Sequence, residues 1–173
     1  MFCYFIPDII YHSVYDIDFN SLKKKNIKGL IFDIDNTLVS YKQEKPTENV
    51  SVFLNKLKID GFDICFISNN SKQRVDIFNG EFRYLCYPRA GKPFTRYIKE
   101  ALKAMNISNI NAALIGDQLF TDVAAAKKAK ITAILVTPIE PVETLFFKFK
   151  RFMEKPFIKK YYRRLNKNYG GKI

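Results

Sequence analysis

The stretch Leu30-Ile31-Phe32-Asp33-Ile34-Asp35-Asn36-Thr37-Leu38 decides how the chain is read. Its apolar start predicts a buried strand, which ends in two aspartates one residue apart and then a threonine. Side chains alternate along an extended chain, so Asp33 and Asp35 share a side if extension persists through Ile34. Just past the carboxyl end of a buried parallel strand is where open α/β sheets keep their chemistry. One carboxylate can attack phosphorus while its neighbour handles protons, provided a cation offsets their repulsion. That outlines a phosphoryl-transfer site. Taken alone, the same residues also read as a polar turn capping a strand.

Three further segments follow in order. Phe62-Asp63-Ile64-Cys65-Phe66-Ile67 is a second apolar strand that runs into Ser68-Asn69-Asn70. Ala90-Gly91-Lys92-Pro93 sets a lysine ahead of a helical pattern. Ala112-Ala113-Leu114-Ile115-Gly116-Asp117 is another strand ending in Gly-Asp, with Asp122 five residues on. Together, Asp33-x-Asp35-x-Thr37, Ser68, Lys92 and Gly116-Asp117-x-x-x-x-Asp122 resemble the four motifs of the haloacid-dehalogenase-like (HAD) superfamily. The likeness spans residues 28–136. The wording of the motifs is similar to subclass IIIA and its YqeG-like branch, whose relatives include phosphatidylglycerophosphate phosphatases.

The resemblance implies a role for each residue. Asp33 is the expected nucleophile and Asp35 the general acid, then base. Mg²⁺ is expected on Asp33, the Asp35 backbone carbonyl and Asp117. Ser68 and Lys92 are expected to bind the phosphoryl oxygens, with Thr37 and Asn69 beside them and Asp122 orienting Lys92 or a metal-bound water. His12, the single histidine, lies outside this set, and Arg74 and Arg89 read as solvated charges flanking the site.

The pattern of elements predicts an α/β fold, a Rossmann-like parallel sheet sandwiched by helices. Strands are expected at residues 28–32, 62–67, 82–87, 112–115 and 131–136. One or two short helices are expected over 7–25, and further helices open at Pro46 and Pro93, over 72–78 and over 121–129. Only 30 residues separate Thr37 from Ser68, and only 23 separate Ser68 from Lys92. A helix and a strand use most of each gap, so neither holds the cap domain that HAD enzymes of small metabolites commonly carry. A capless site is open, and by resemblance such sites act on macromolecular or surface-bound phosphates.

At 173 residues and 47% apolar content the chain suits one domain with a real core. No run approaches the roughly 20 apolar residues that span a bilayer, and Met1 to Asp8 does not read as a secretory leader. Cys3, Cys65 and Cys86 have no metal-like spacing, and a reducing cytoplasm suits them.

Charge is concentrated at one end. Residues 144–173 hold ten of the 29 Lys and Arg and one acid, Glu154, and so carry +9 of the net +12. The reading therefore divides the chain into a phosphatase domain over 1–143, with a short helical extension at its start, and a basic aromatic tail over 144–173. Leu145, Phe149, Phe152 and Met153 form one apolar stripe, and Ile158, Tyr161, Tyr162 and Leu165 another, with a break or kink expected at Pro156. Basic helices with an aromatic face lie well on anionic membranes. The function expected is Mg²⁺-dependent hydrolysis of a phosphomonoester, the lipid head group of phosphatidylglycerophosphate, by a cytoplasmic protein peripheral on the membrane. The alternatives are an RNA- or ribosome-associated module, because aromatics interleaved with cations also follow nucleic acid, a phosphatase of another macromolecular substrate, and, for the tail, a stripe packed on the chain's own sheet or in a dimer.

Overall fold

The computed structural model describes residues 3–140 and 145–168. Six parallel strands form one sheet: β1 (Ile9–Tyr11), β2 (Gly29–Phe32), β3 (Asp63–Ile67), β4 (Leu85–Tyr87), β5 (Ala112–Gly116) and β6 (Thr132–Val136). Their spatial order is β1-β6-β5-β2-β3-β4. The chain leaves β2 toward one edge and later returns to its other side, so β2 lies at the switch point of the sheet. Phe32 registers with Phe66 on one neighbour and Ile115 on the other. Asp33, Ile67 and Gly116 therefore emerge side by side at the carboxyl rim, where such sheets bind ligands.

Alternation along each strand feeds two cores. Leu30, Phe32, Ile64, Phe66 and Ile115 face α1 (Phe19–Lys24), α2 (Glu48–Ile59) and α3 (Lys72–Asn79). Ile31, Cys65, Ile67, Leu114 and Leu135 face α4 (Arg96–Ala104), α5 (Ala124–Ala129) and part of α6 (Leu145–Asn168). β2 is buried throughout, as a central parallel strand requires. Only α2 and β3 lie between Thr37 and Ser68, and only α3 and β4 between Ser68 and Lys92. No cap domain interrupts them.

Three expectations need correcting. The segment expected to be helical over 7–25 begins with β1, an edge strand paired to β6, followed by a 3₁₀ turn (Val14–Asp16) and α1. Ile9, Ile10, Val14 and Ile17 fit a helical stripe, but a short apolar run does not separate helix from strand. Asp8 decides it here: its carboxylate accepts from Ala133 N at 2.9 Å and meets Lys127 Nζ at 2.6 Å, which docks β1 on the sheet edge. Pro93 does not open α4. It follows a cis peptide from Lys92, and the helix starts at Arg96 with Thr95 at its N-cap.

Nor does Pro156 break α6, which runs through it. Pro156 is exposed, whereas Glu154, Phe157, Ile158 and Tyr161 form the inward face. Phe157 packs edge-on against Phe5 and Phe120, and the Tyr161 hydroxyl accepts from Ile10 N at 3.2 Å. Those contacts offset the roughly 3 kcal/mol that an interior proline costs a helix. Ile158, Tyr161 and Leu165 thus face the domain, while Phe152, Met153 and Tyr162 lie exposed among Lys155, Lys159, Arg163 and Arg164. The side chains of Leu145 and Phe149, and the boundary expected at residues 143/144, lie outside the described residues.

Candidate active site

The loop after β2 is folded by its own backbone. Asn36 takes a left-handed conformation (φ 62°), which Asn tolerates better than most residues. Leu38 N donates to Ile34 O at 2.9 Å and Asn36 N to Val39 O at 2.7 Å, closing a tight turn. The Asn36 amide reaches Glu140 O at 2.9 Å and so ties this turn to the segment after β6. Asp33, Asp35 and Thr37 are all buried in consequence.

Lys92 arrives from the loop after β4. Its ammonium lies 2.7 Å from Asp33 Oδ1 and 2.6 Å from Asp122 Oδ1, with all three side chains buried. Asn69 sets the position of that loop: its Oδ1 accepts from Lys92 N at 2.7 Å and its Nδ2 donates to Lys92 O at 3.1 Å. The amide expected to meet phosphate is therefore engaged with the Lys92 backbone. Ser68 Oγ accepts from Asn70 N at 3.0 Å, a bond that leaves the hydroxyl proton available to the cleft. Asp122 is fixed at its other oxygen by Gln118 N at 3.1 Å. A Cβ at Gly116 would come within 2.4 Å of the Asp122 side chain, so this carboxylate sits where only glycine leaves room.

Asp33, Asp117 and Asp122 each bring a carboxylate oxygen within 4.8 Å of the other two. Three buried carboxylates against one buried ammonium leave excess negative charge. Burial, with Asp122 and Asp35 adding to it and Lys92 opposing it, raises the Asp33 carboxyl to about 7. A cluster of hard oxygens with unbalanced charge is what a divalent cation such as Mg²⁺ takes. The residues present fit that ion.

Asp35 is held apart from this cluster. Its Oδ1 meets Arg74 Nη2 at 2.9 Å and Nε at 3.2 Å, and its Oδ2 accepts from Asn70 Nδ2 at 3.2 Å. Arg74 is not the solvated charge that the sequence predicts: its side chain is 10% exposed. The guanidinium also donates to the backbone carbonyls of Gln43 and Glu44. Arg89 is exposed, as is His12. The sequence reading missed Asn70 as a partner of Asp35, and also Tyr41, Gln118 and Thr121, which line the cleft. The spacing between Asp35 and Arg74 carries no periodic signal. Only the fact that Ser71 caps α3 from the second motif could have brought Arg74 to notice.

Asp33, Asp35, Ser68, Lys92 and Asn69 share this open cleft of about 320 Å³. Thr37 does not line the cleft, and its hydroxyl is buried and without a hydrogen-bond partner among the described residues.

Comparison with known proteins shows what the chain as a whole is similar to. A family model described as "HAD-hyrolase-like" matches residues 89–138. The chain is 30% identical over 152 residues to "Probable phosphatase YqeG" of Bacillus subtilis (strain 168), covering 88% of each protein. Among solved structures, the cobalt-bound deoxy-D-mannose-octulosonate 8-phosphate phosphatase of Haemophilus influenzae matches with a TM-score of 0.54 at 13% identity, over 80% of this chain and 91% of that one. An uncharacterized protein from Listeria monocytogenes serotype 4b gives 0.55 at 18% identity, over 68% and 85%. Those two share the fold. The identity to the Bacillus protein over nearly the whole length goes further, and the chain belongs to the YqeG family of the HAD superfamily.

Proposed function

We propose that the protein is a Mg²⁺-dependent phosphomonoesterase working through an aspartyl-phosphate on Asp33, with a lipid head-group phosphate, that of phosphatidylglycerophosphate, as substrate. The observation that carries the reaction class is the separation of the two motif carboxylates. Asp33 lies in the acidic cluster beside Lys92, whereas Asp35 is held by Arg74 and Asn70. Two carboxylates with different surroundings can take different roles.

Asp33 attacks phosphorus as the bond to the leaving oxygen breaks, and the electron pair goes to that oxygen. Asp35 delivers a proton to it. In the second half Asp35 takes a proton from water as the water attacks phosphorus, and the bond to Asp33 breaks to restore the carboxylate. Lys92 and Ser68 hold the phosphoryl oxygens, and Asp122 keeps Lys92 in place. Mg²⁺ held by Asp33, Asp117 and the Asp35 backbone carbonyl would neutralise charge as the phosphoryl group transfers.

Two features favour a lipid. The cleft has no cap, and the outward face of α6 joins Phe152, Met153 and Tyr162 to Lys155, Lys159, Arg163 and Arg164. Each cation near an anionic surface is worth about 1 kcal/mol. No helix among the described residues is long and apolar enough to cross a membrane, so attachment through that face would be peripheral. A phosphate-release panel tests the proposal, with phosphatidylglycerophosphate in vesicles, sugar phosphates, nucleotides and phosphopeptides, each with and without Mg²⁺. The lipid should be turned over best. Release from none of them with Mg²⁺ present would remove the phosphatase reading, and a preference for a soluble phosphate would remove the lipid.

A further inference from the structure

We infer that Arg74 is a positioning residue for proton transfer: through Asp35 it sets the reaction's dependence on the leaving group. The inference rests on the phosphatase reading above but names a residue outside the four motifs.

The geometry is that of a clamp. Two nitrogens of one guanidinium converge on Asp35 Oδ1, at 2.9 and 3.2 Å, and the Asn70 amide holds Oδ2 at 3.2 Å. The guanidinium is anchored in turn on Gln43 O at 2.7 Å and on Glu44 O. Its helix is fixed at its start, where Ser71 Oγ accepts from Arg74 N at 3.3 Å. A carboxylate has about four lone-pair sites. Three are engaged here, which leaves one on Oδ2 in a residue that lines the cleft. The plane of Asp35 is thus set by residues from two loops and a helix.

The reacting step shows what the clamp controls. As the phosphorus–oxygen bond breaks, the electron pair passes to the leaving oxygen and the Asp35 proton moves to it. An alkoxide needs that proton and a nitrophenolate hardly does. Misplacing Asp35 therefore slows alkyl phosphates most. A ligand of stronger planar fit than lysine suits this task, since only arginine presents two donors in one rigid fork.

The test compares kcat/KM, which reports phosphoryl transfer before the shared hydrolysis of the aspartyl-phosphate. The substrates are p-nitrophenyl phosphate and an alkyl phosphate such as glycerol phosphate, with Mg²⁺ present. For Arg74→Gln, the alkyl-to-aryl ratio of kcat/KM should fall by about tenfold or more, since a well-placed general acid is worth 10²–10⁴-fold. Arg74→Lys should lose most of that ratio despite keeping its charge. Asn70→Ala, at the opposite oxygen, should shift the ratio in the same direction, and it keeps the question open to test if the Arg74 variants do not fold. In an Asp35→Asn background, Arg74→Gln should change the ratio no further. Equal losses on both substrates, or additive losses in the double variant, would overturn the positioning role. Wild-type protein inactive on every phosphate would instead sink the phosphatase reading itself.

Discussion

As the proposed nucleophile, Asp33 sits between two demands, since attack requires it ionised yet it is buried beside two other carboxylates. Its carboxyl, raised from 3.8 to about 7 chiefly by burial, has a consequence for stability. Between those values the folded state binds more protons than the unfolded one, so stability falls as pH rises through that window. With chelator present, thermal melts from pH 4 to 8 should show this fall in the wild type, and Asp33→Asn should reduce it. Mg²⁺ should restore stability near neutral pH, because binding to the folded state alone stabilises it. Turnover should follow the same residue. Asp33→Asn should lose roughly 10³-fold or more in phosphate release, in the range seen when a nucleophile is removed, while circular dichroism stays unchanged. Asp35→Asn should also be crippled, with a slow half-reaction that leaves phosphoprotein detectable by mass spectrometry. Full activity in Asp33→Asn would refute the nucleophile assignment.

Elements carry these residues, and two short stretches hold most of the precision. The first is the rim of β5, where Gly116 passes against Asp122. Asp122 cannot step aside, because Lys92 and Gln118 N hold both of its oxygens. Gly116→Ala should therefore destabilise by about 1–3 kcal/mol, the usual cost of overpacking. It should also lower phosphate release by displacing Lys92. Denaturant melts and a release assay on the same preparation check both, and a neutral result in both would show that the turn after β5 relaxes. The second is the start of α3, where losing the Ser71 cap should cost about 1 kcal/mol and loosen Arg74.

At the scale of the whole molecule, α6 has one face packed on the domain and one exposed face rich in cations. Phe157 and Tyr161 join it to Phe5, Phe120 and β1, so removing residues 144–173 should lower the melting temperature by uncovering that edge. Truncation is thus a poor test of membrane binding. Charge reversal on the outward face, Lys155, Lys159 and Arg163 to Glu, touches none of those contacts. The triple variant should melt within a few degrees of wild type, yet bind anionic vesicles more weakly and release less phosphate from vesicle-borne substrate. Wild-type binding should weaken with salt, because exposed charges are screened beyond about 8–10 Å at physiological ionic strength. Unchanged vesicle binding would assign this face to another partner. Selective RNA binding would favour nucleic acid.

The parallel sheet and its two cores were legible in the chain because they depend on local pattern, whereas Asp33, Asp35, Ser68, Lys92 and Asp117 were grouped as one site through the resemblance of their motifs. Apolar runs mark buried strands, short gaps leave no room for a cap, and each motif stands at a strand end or in the stretch that follows one. What stayed hidden depends on pairings between distant segments. Ile9–Tyr11 is a strand because β6 offers it an edge and Asp8 a partner. Pro156 stays within a helix because the inward face of α6 has a surface to cover. Arg74 reaches Asp35 across 39 positions only once α3 stands beside the loop after β2. No periodicity in the sequence encodes that distance, since closing it is the work of the fold.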